Sequence, residues 1–308
     1  GDGHGGVHHH NGFLNVNGIF EGRFDTIITN PPFGANLEPT DLVMESDVAL
    51  DAEVEKLYQS RYSEPYREAR QRLWNAVGQP IAKLFTLPQN AQGKIGKIKT
   101  EVLFIERCLD LLKPGGRLGI VLPEGIFNNP SLAYVRQFVE DRARLLAVVS
   151  LPQETFVASG ASVKCSLLFL QKFTDAQAAE YAALRTTAEA EVAAQHAPAL
   201  QAERDRLAQA IAAAKAAKDA AARKEHTAEL AAFEKRMAEQ MQAEARSLLK
   251  TRFDYPVFLY EADKVGLTAT GEADPNELYP NPRPPQGVEQ TALEQYRAFE
   301  QDATPFFA

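Results

Sequence analysis

The 308 residues include only two cysteines, one tryptophan and three methionines. No apolar run approaches the roughly 20 residues that a membrane-spanning helix needs, and no basic, apolar, small-residue leader opens the chain. Two cysteines cannot build a disulfide framework. Cys108 falls in an apolar helical pattern and Cys165 in an apolar strand pattern, so both read as reduced core thiols rather than metal ligands. These absences exclude a disulfide-stapled secreted domain and a membrane protein, and they point to the cytoplasm. The chain opens Gly1-Asp2-Gly3-His4 without an initiator Met and runs almost at once into a strand. It is read as the downstream part of a longer protein.

What is present suffices for a substantial core: 45% of the residues are hydrophobic, in a length that fits one large domain or two modest ones. The formal charge of -8 is unevenly spread. Residues 251–308 carry 10 acids against 4 bases, whereas residues 1–174 are nearly balanced at 19 against 18. Within that first part, 38–55 holds seven acids and no base, and 56–99 holds nine bases and two acids. Arg61, Arg67, Arg70, Arg72, Lys94, Lys97 and Lys99 belong to this basic insert. A local surplus of this kind attracts polyanions even in an acidic protein. The competing reading is a solvated helix face followed by a Lys-rich loop.

Strands and helices alternate. Phe24–Thr29 reads as a buried strand that stops at Asn30-Pro31-Pro32, where two prolines cannot continue a ladder. Residues 100–112 follow helical spacing, Pro114-Gly115-Gly116 ends the helix, and Leu118–Leu122 is the next strand. Asn129 caps a further helix that has Pro130 at its first position and runs to about Arg142, followed by a strand over Leu145–Leu151. Val163–Leu170 follows too closely for a crossover helix, which predicts an antiparallel strand at the edge of an otherwise mostly parallel, doubly wound α/β sheet.

From 176 to 246, 28 of 71 residues are Ala, and the rest are mostly Glu, Lys, Arg, Gln or Leu. Leu200, Leu207, Ile211 and Ala214, then Leu230, Phe233, Met237 and Met241, form a thin apolar stripe suited to a coiled coil or helical hairpin, with Pro198 expected to break or kink it. The resulting division is 1–173 sheet domain, 174–250 helical arm, and 251–308 a return strand with an acidic tail. Pro280–Pro285 reads as a loop.

Asn30-Pro31-Pro32-Phe33 carries the chemistry. It follows a strand, and open α/β sheets bind ligands at the carboxyl ends of their strands. An amino group on an aromatic ring is a poor nucleophile until acceptors draw on both its protons. Asn30 supplies a side-chain carbonyl, Pro31 a backbone carbonyl held outward by the diproline, and Phe33 an apolar face on which a planar base could stack. Taken alone, the tetrapeptide reads equally well as a strand stop with an Asx turn.

The surroundings add to it. Phe24-Asp25-Thr26-Ile27-Ile28-Thr29-Asn30-Pro31-Pro32-Phe33-Gly34, then Lys99-Thr100-Glu101-Val102-Leu103-Phe104-Ile105-Glu106, then Leu112–Leu118 and Val121–Gly125, together resemble the N6-adenine DNA methyltransferases. More narrowly, they are similar to the modification subunits of type I restriction-modification systems. Leu151–Phe156 with Gly160, and Tyr255–Phe258 with Lys264-Val265-Gly266 and Thr270-Gly271, resemble later elements of that family. The resemblance covers nearly the whole chain.

It implies a class I S-adenosylmethionine-dependent methyltransferase (Rossmann-like) fold that methylates N6 of an adenine flipped out of double-stranded DNA. Asn30 and the Pro31 carbonyl would accept from the amine and Phe33 would stack on the base. A separate specificity subunit, and often a restriction (nuclease) subunit, are the implied partners. The family's glycine-containing cofactor loop and its acidic partner are expected upstream of Gly1, so this chain alone is expected to be inactive. Asp2 and Asn11 stand where the family often has a polar residue near the cofactor.

Other features read as structure. His4, His8, His9 and His10 lie in a Gly-rich segment without Cys or acidic partners at ligand spacing, so a solvated loop is expected and no metal. Glu101 and Glu106 are five apart on a helix and do not form a catalytic carboxylate pair. Tyr58, Tyr62 and Tyr66 recur every four residues as a packed helix face. Beside the base-binding motif, the basic insert is the natural phosphate contact, through Arg61, Arg70, Lys94, Lys97 and Lys99. Two rival functions remain: a same-fold RNA or protein-glutamine methyltransferase, and a non-catalytic assembly subunit built on the arm.

Overall fold

The computed structural model describes residues 10–89, 93–157, 160, 162–280 and 290–307. Pro280 apart, the Pro-rich stretch lies outside them, as do Asp2, His4, His8 and His9. The chain divides into two compact units, Gly1–Asp175 with Pro256–Ala308, and Ala176–Tyr255.

In chain order the first unit holds β1 (Phe24–Thr29), β2 (Asn36–Leu37), α1 (Glu45–Val48), α2 (Ala52–Asn75), β3 (Ile98–Lys99), α3 (Thr100–Leu111), β4 (Leu112–Pro123), α4 (Gly125–Asn128), α5 (Ala133–Glu140), β5 (Ala143–Ser150) and β6 (Cys165–Lys172). The arm follows as α6 (Asp175–Ala216) and α7 (Ala220–Arg252), and the first unit resumes with β7 (Phe258–Glu261), β8 (Val265–Leu267), β9 (Ala273–Asn276) and α8 (Ala292–Gln301).

The main sheet has the order β1-β4-β6-β5-β7. β1 pairs parallel with β4, and β5 with β7, while β6 runs antiparallel to both β4 and β5. Four strands thus share one direction and the α/β reading holds, but the place of the reversed strand is corrected: it is interior. The short β5 to β6 connection forces an antiparallel neighbour. β7, returning from the arm, then takes the edge.

Alternation along the strands sorts their side chains. Leu118, Ile120, Leu122, Leu168 and Leu170 pack with Val102, Leu103, Ile105 and Leu109 of α3 and Val135 and Val139 of α5 in the main core. The opposite face is covered in part by α8, whose Phe299 joins Ala147 and Phe258. Burying a Leu or Ile side chain there contributes about 1.5–3 kcal/mol, which is why the periodic apolar positions dictate these elements.

β1 departs from expectation. Its β-branched sequence predicts a buried strand, yet among the described residues its only ladder partner is β4, and Ile28 is 86% exposed. A β-branched run shows that a strand can be covered, not what covers it.

In the arm, the ion pairs Glu191–Arg252, His196–Glu244, Arg204–Glu234 and Arg206–Glu229 step up one helix as they step down the other. α6 and α7 are therefore an antiparallel hairpin. Of the stripe, Leu207 and Ala214 are buried and the other six are half-buried. The helix continues through Pro198 rather than breaking there. The reversal comes instead at Lys218, with φ +59, and Asp219 caps α7 through the Ala221 and Ala222 amides at 3.0 and 2.9 Å. Among the described residues no helix is long and apolar enough to cross a membrane.

Candidate active site at the carboxyl end of the sheet

Thr29 is the last β1 residue in register with β4, opposite Ile120, and the chain leaves the sheet at Asn30. The two prolines have no N–H to offer the ladder, and Gly34 (φ +80) supplies the left-handed residue that turns the loop back. Asn30 and Pro32 are exposed, Pro31 is buried and Phe33 is half-buried.

The loop is closed at its far end by the first residue of α3. Thr100 Oγ1 donates to the Pro32 carbonyl at 3.0 Å, and the Thr100 amide donates to the Ala35 carbonyl at 3.1 Å. β2 and β3 extend the closure, Asn36 opposite Lys99 and Leu37 opposite Ile98. Among the described residues, neither the Asn30 side chain nor the Pro31 carbonyl has a hydrogen-bond partner.

Because β1, β4, β5 and β7 are co-directional, their carboxyl ends meet here. Phe33 packs on Val149, Leu151 and Cys165, together with Val121 and Phe156. Glu124, just past β4, accepts from Ser166 Oγ at 3.0 Å, and Lys164 pairs with Glu261 at 3.3 Å. Burial, aided by Glu124, pushes the Cys165 thiol up to about 11, and burial raises Cys108 to about 12, so both stay protonated and inert at neutral pH. The loop therefore carries two carbonyl oxygens without a partner among the described residues, in the tetrapeptide that also holds the half-buried Phe33. That set can accept both protons of a planar amine without a strong general base.

The remaining predicted residues are not gathered here. Asn11 accepts from the Phe13 amide at 3.0 Å, an Asx turn beside a cleft of ≈ 450 Å³ that Asp41 and Asp47 also line. Its acceptor oxygen is thus engaged locally. His10 is exposed.

Of the basic residues, Arg61, Lys94, Lys97 and Lys99 are exposed, with Lys97 paired to Glu38 at 2.6 Å. Lys94 and Lys97 border a cleft of ≈ 610 Å³ that Tyr134 also lines. Arg70 is a correction: it is 5% exposed and paired with Glu55 at 3.3 Å, so it presents no charge to a surface polyanion. The turn that brings Glu55 back to it is the kink in α2 at Ser63 (φ 54), two residues before Pro65. Tyr58, Tyr62 and Tyr66 pack on Phe20, as the fourfold spacing predicts.

Two residues take roles at the site beyond those the sequence suggests. Glu106, 3% exposed, accepts from the Thr86 and Leu87 amides at 2.6 and 2.8 Å and so anchors the start of the Lys-rich loop. Thr100 reads as the start of a helix, and nothing among its sequence neighbours signals that its hydroxyl holds the Pro32 carbonyl 68 positions away.

A mixed α/β sheet with one reversed strand inside it thus carries an Asn-Pro-Pro-Phe turn at the carboxyl end of its first strand. The N-6 DNA Methylase family matches residues 87–244, and the Eco57I restriction-modification methylase family matches residues 3–156, which include Asn30–Phe33 and Thr100. The chain belongs to the N-6 DNA methylase family.

None of the curated proteins matches the chain. Among solved structures it is similar to a class I S-adenosylmethionine-dependent methyltransferase of Listeria monocytogenes, at 22% identity and a TM-score of 0.32 over 53% of this chain and 35% of that one. It is also similar to a type I modification subunit of Vibrio vulnificus YJ016, at 21% and 0.30 over 50% and 24%. A third is the EcoKI M protein, at 21% and 0.29 over 51% and 22%. The chain thus spans about a third or less of the length of each.

Proposed function

We propose that this chain is part of an adenine-specific DNA methyltransferase, the modification subunit of a type I restriction-modification system, acting in the cytoplasm with a separate specificity subunit and a nuclease subunit. The observation that carries the reading is the pair of unengaged acceptors, Asn30 and the Pro31 carbonyl, at the carboxyl end of a sheet in a chain of the N-6 DNA methylase family.

In this reading residues 1–173 form the substrate half of the catalytic domain, 174–250 the arm and 251–308 the C-terminal return. S-adenosylmethionine, the assigned donor, supplies an electrophilic methyl group when bound. The chain's own residues act on the acceptor. An adenine flipped out of the duplex places its amine between Asn30 and the Pro31 carbonyl, which take one hydrogen bond each, orient the nitrogen lone pair and raise its nucleophilicity. Phe33 provides the stacking surface. Arg61, Lys94, Lys97 and Lys99 contact backbone phosphates, which positions the duplex without reading its sequence.

The test is product identity. Full-length protein, with its partner subunits and labelled donor, is offered duplex DNA, RNA and protein in parallel, and the modified base is identified by mass spectrometry. The reading expects N6-methyladenine in DNA. Label in RNA or in glutamine alone overturns it in favour of a same-fold rival, and a full-length protein that takes up no donor favours an assembly role.

A further inference from the structure

The diproline presents two backbone carbonyls, yet an amine with two protons needs only one of them beside Asn30. The structure distinguishes the two. The Pro32 carbonyl is taken by Thr100 Oγ1 at 3.0 Å, whereas the Pro31 carbonyl has no partner among the described residues. Thr100 is 8% exposed, so its hydroxyl is shielded from competing water. Its other possible acceptors, the Ala35 carbonyl and Glu101 Oε2, are both farther, at 3.4 Å.

The same residue also holds Ala35 through its amide at 3.1 Å, so one side chain and one amide bracket the loop from Pro32 to Ala35. Gly34 between them has φ +80 and open space around it, so packing alone does not fix the loop there. At its near end the loop is held by the Thr29 to Ile120 register of the β1 ladder.

From this geometry we infer that Thr100 is a positioning residue for methyl transfer: it holds the Pro32 carbonyl so that Asn30 and the Pro31 carbonyl face the substrate amine. The inference rests on the methyltransferase reading above and extends it to a residue that touches neither substrate nor donor. Without the hydroxyl, the Pro32 carbonyl is released; the rings still fix φ at both prolines, so what loosens is ψ at Pro31 and Pro32, the torsions that set where the two carbonyls point. The two acceptors then meet the amine in many orientations rather than one. A misplacement of this kind acts on the chemical step and leaves affinity for the rest of the duplex untouched.

The test compares Thr100→Val, which keeps the shape and loses the donor, with Thr100→Ser, which keeps the donor, in the full-length protein with its partner subunits. Melting temperature and donor affinity are measured alongside. The expected result for Thr100→Val is a fall in single-turnover methylation rate of about ten- to a hundred-fold, with DNA affinity, donor affinity and melting temperature close to wild type. Thr100→Ser is expected to recover the rate to within a few-fold.

A Thr100→Val protein as fast as an active wild type overturns the inference alone. So does a rate loss that tracks a fall in melting temperature in both variants, since that marks a purely structural role. A wild type that methylates no DNA overturns the functional reading and this inference with it.

Discussion

Arg107 is 3% exposed and engages its guanidinium with the Gly12 carbonyl at 3.1 Å, Asn15 Oδ1 at 2.8 Å and the Leu14 carbonyl at 2.7 Å. It thereby ties the segment before β1 to α3. Asn15 also donates to Glu21, at 2.7 and 2.8 Å. Asp110 shares a small polar cavity of ≈ 90 Å³ with Glu21, Arg72 and Arg107. Burial first, then the charges of Glu106 and Glu21, push its carboxyl from 3.8 to about 6, against the pull of Lys172 and Arg107.

A carboxyl whose folded value is raised favours the fold when protonated. Its stabilising contribution is complete below about pH 4 and is lost as pH rises through about 6. Asp110→Asn is therefore expected to be more stable than wild type at pH 8, by about 1–2 kcal/mol after allowing for residual solvation, and to converge with it near pH 4. Thermal melts across that range check this. A variant less stable than wild type at pH 8 would mean that the ionised carboxylate is a partner the fold needs.

Among the elements, the arm separates packing from charge most cleanly. Leu207 is fully buried within the hairpin, whereas Arg206, which bonds Glu203 and Glu229, is half-exposed. Solvent-exposed pairs contribute little, and a buried Leu truncated to Ala typically costs about 2–4 kcal/mol. Leu207→Ala should lower the melting temperature of the arm's helical signal in far-UV circular dichroism, and Arg206→Ala should leave it unchanged. The reverse ranking would show that the ion-pair ladder holds the hairpin.

Elements were legible where the cause is local. The apolar period of α3 and the proline stop after β1 can be read from neighbours a few residues apart, whereas Pro114-Gly115-Gly116, expected as a turn, runs inside β4 where its pairing with β1 shifts register. Lateral order in the sheet could not be read this way, because β6 is placed between β4 and β5 by pairings across the whole domain. Arg70 failed for the same reason: its partner Glu55 lies 15 residues away and is brought close by a kink at Ser63. At the site, Asn30 to Phe33 were legible from residue type and strand position. The Thr100 clasp was not, since it joins residues 68 positions apart.

At the scale of the molecule, one geometric fact organises the first unit. Four co-directional strands deliver Asn30, Glu124, Leu151 and Glu261 to the same end of the sheet, and the reversed β6 begins there with Cys165. The basic insert starts from that end through β2 and returns to it through β3, so its exposed Lys97 and Lys99 lie next to the strand pair that closes the Asn30 loop. The acidity of the whole chain is carried mainly by residues 251–308, away in sequence from this insert.

The central claim is that the Asn30 side chain and the Pro31 carbonyl grip a substrate amine, and the most direct measurement is N6-methyladenine formation by full-length wild type and Asn30→Ala under single-turnover conditions, with donor affinity measured in parallel. The account predicts that Asn30→Ala loses transfer by about 10²-fold or more while binding the donor as wild type does. Transfer within a few-fold of wild type would contradict it.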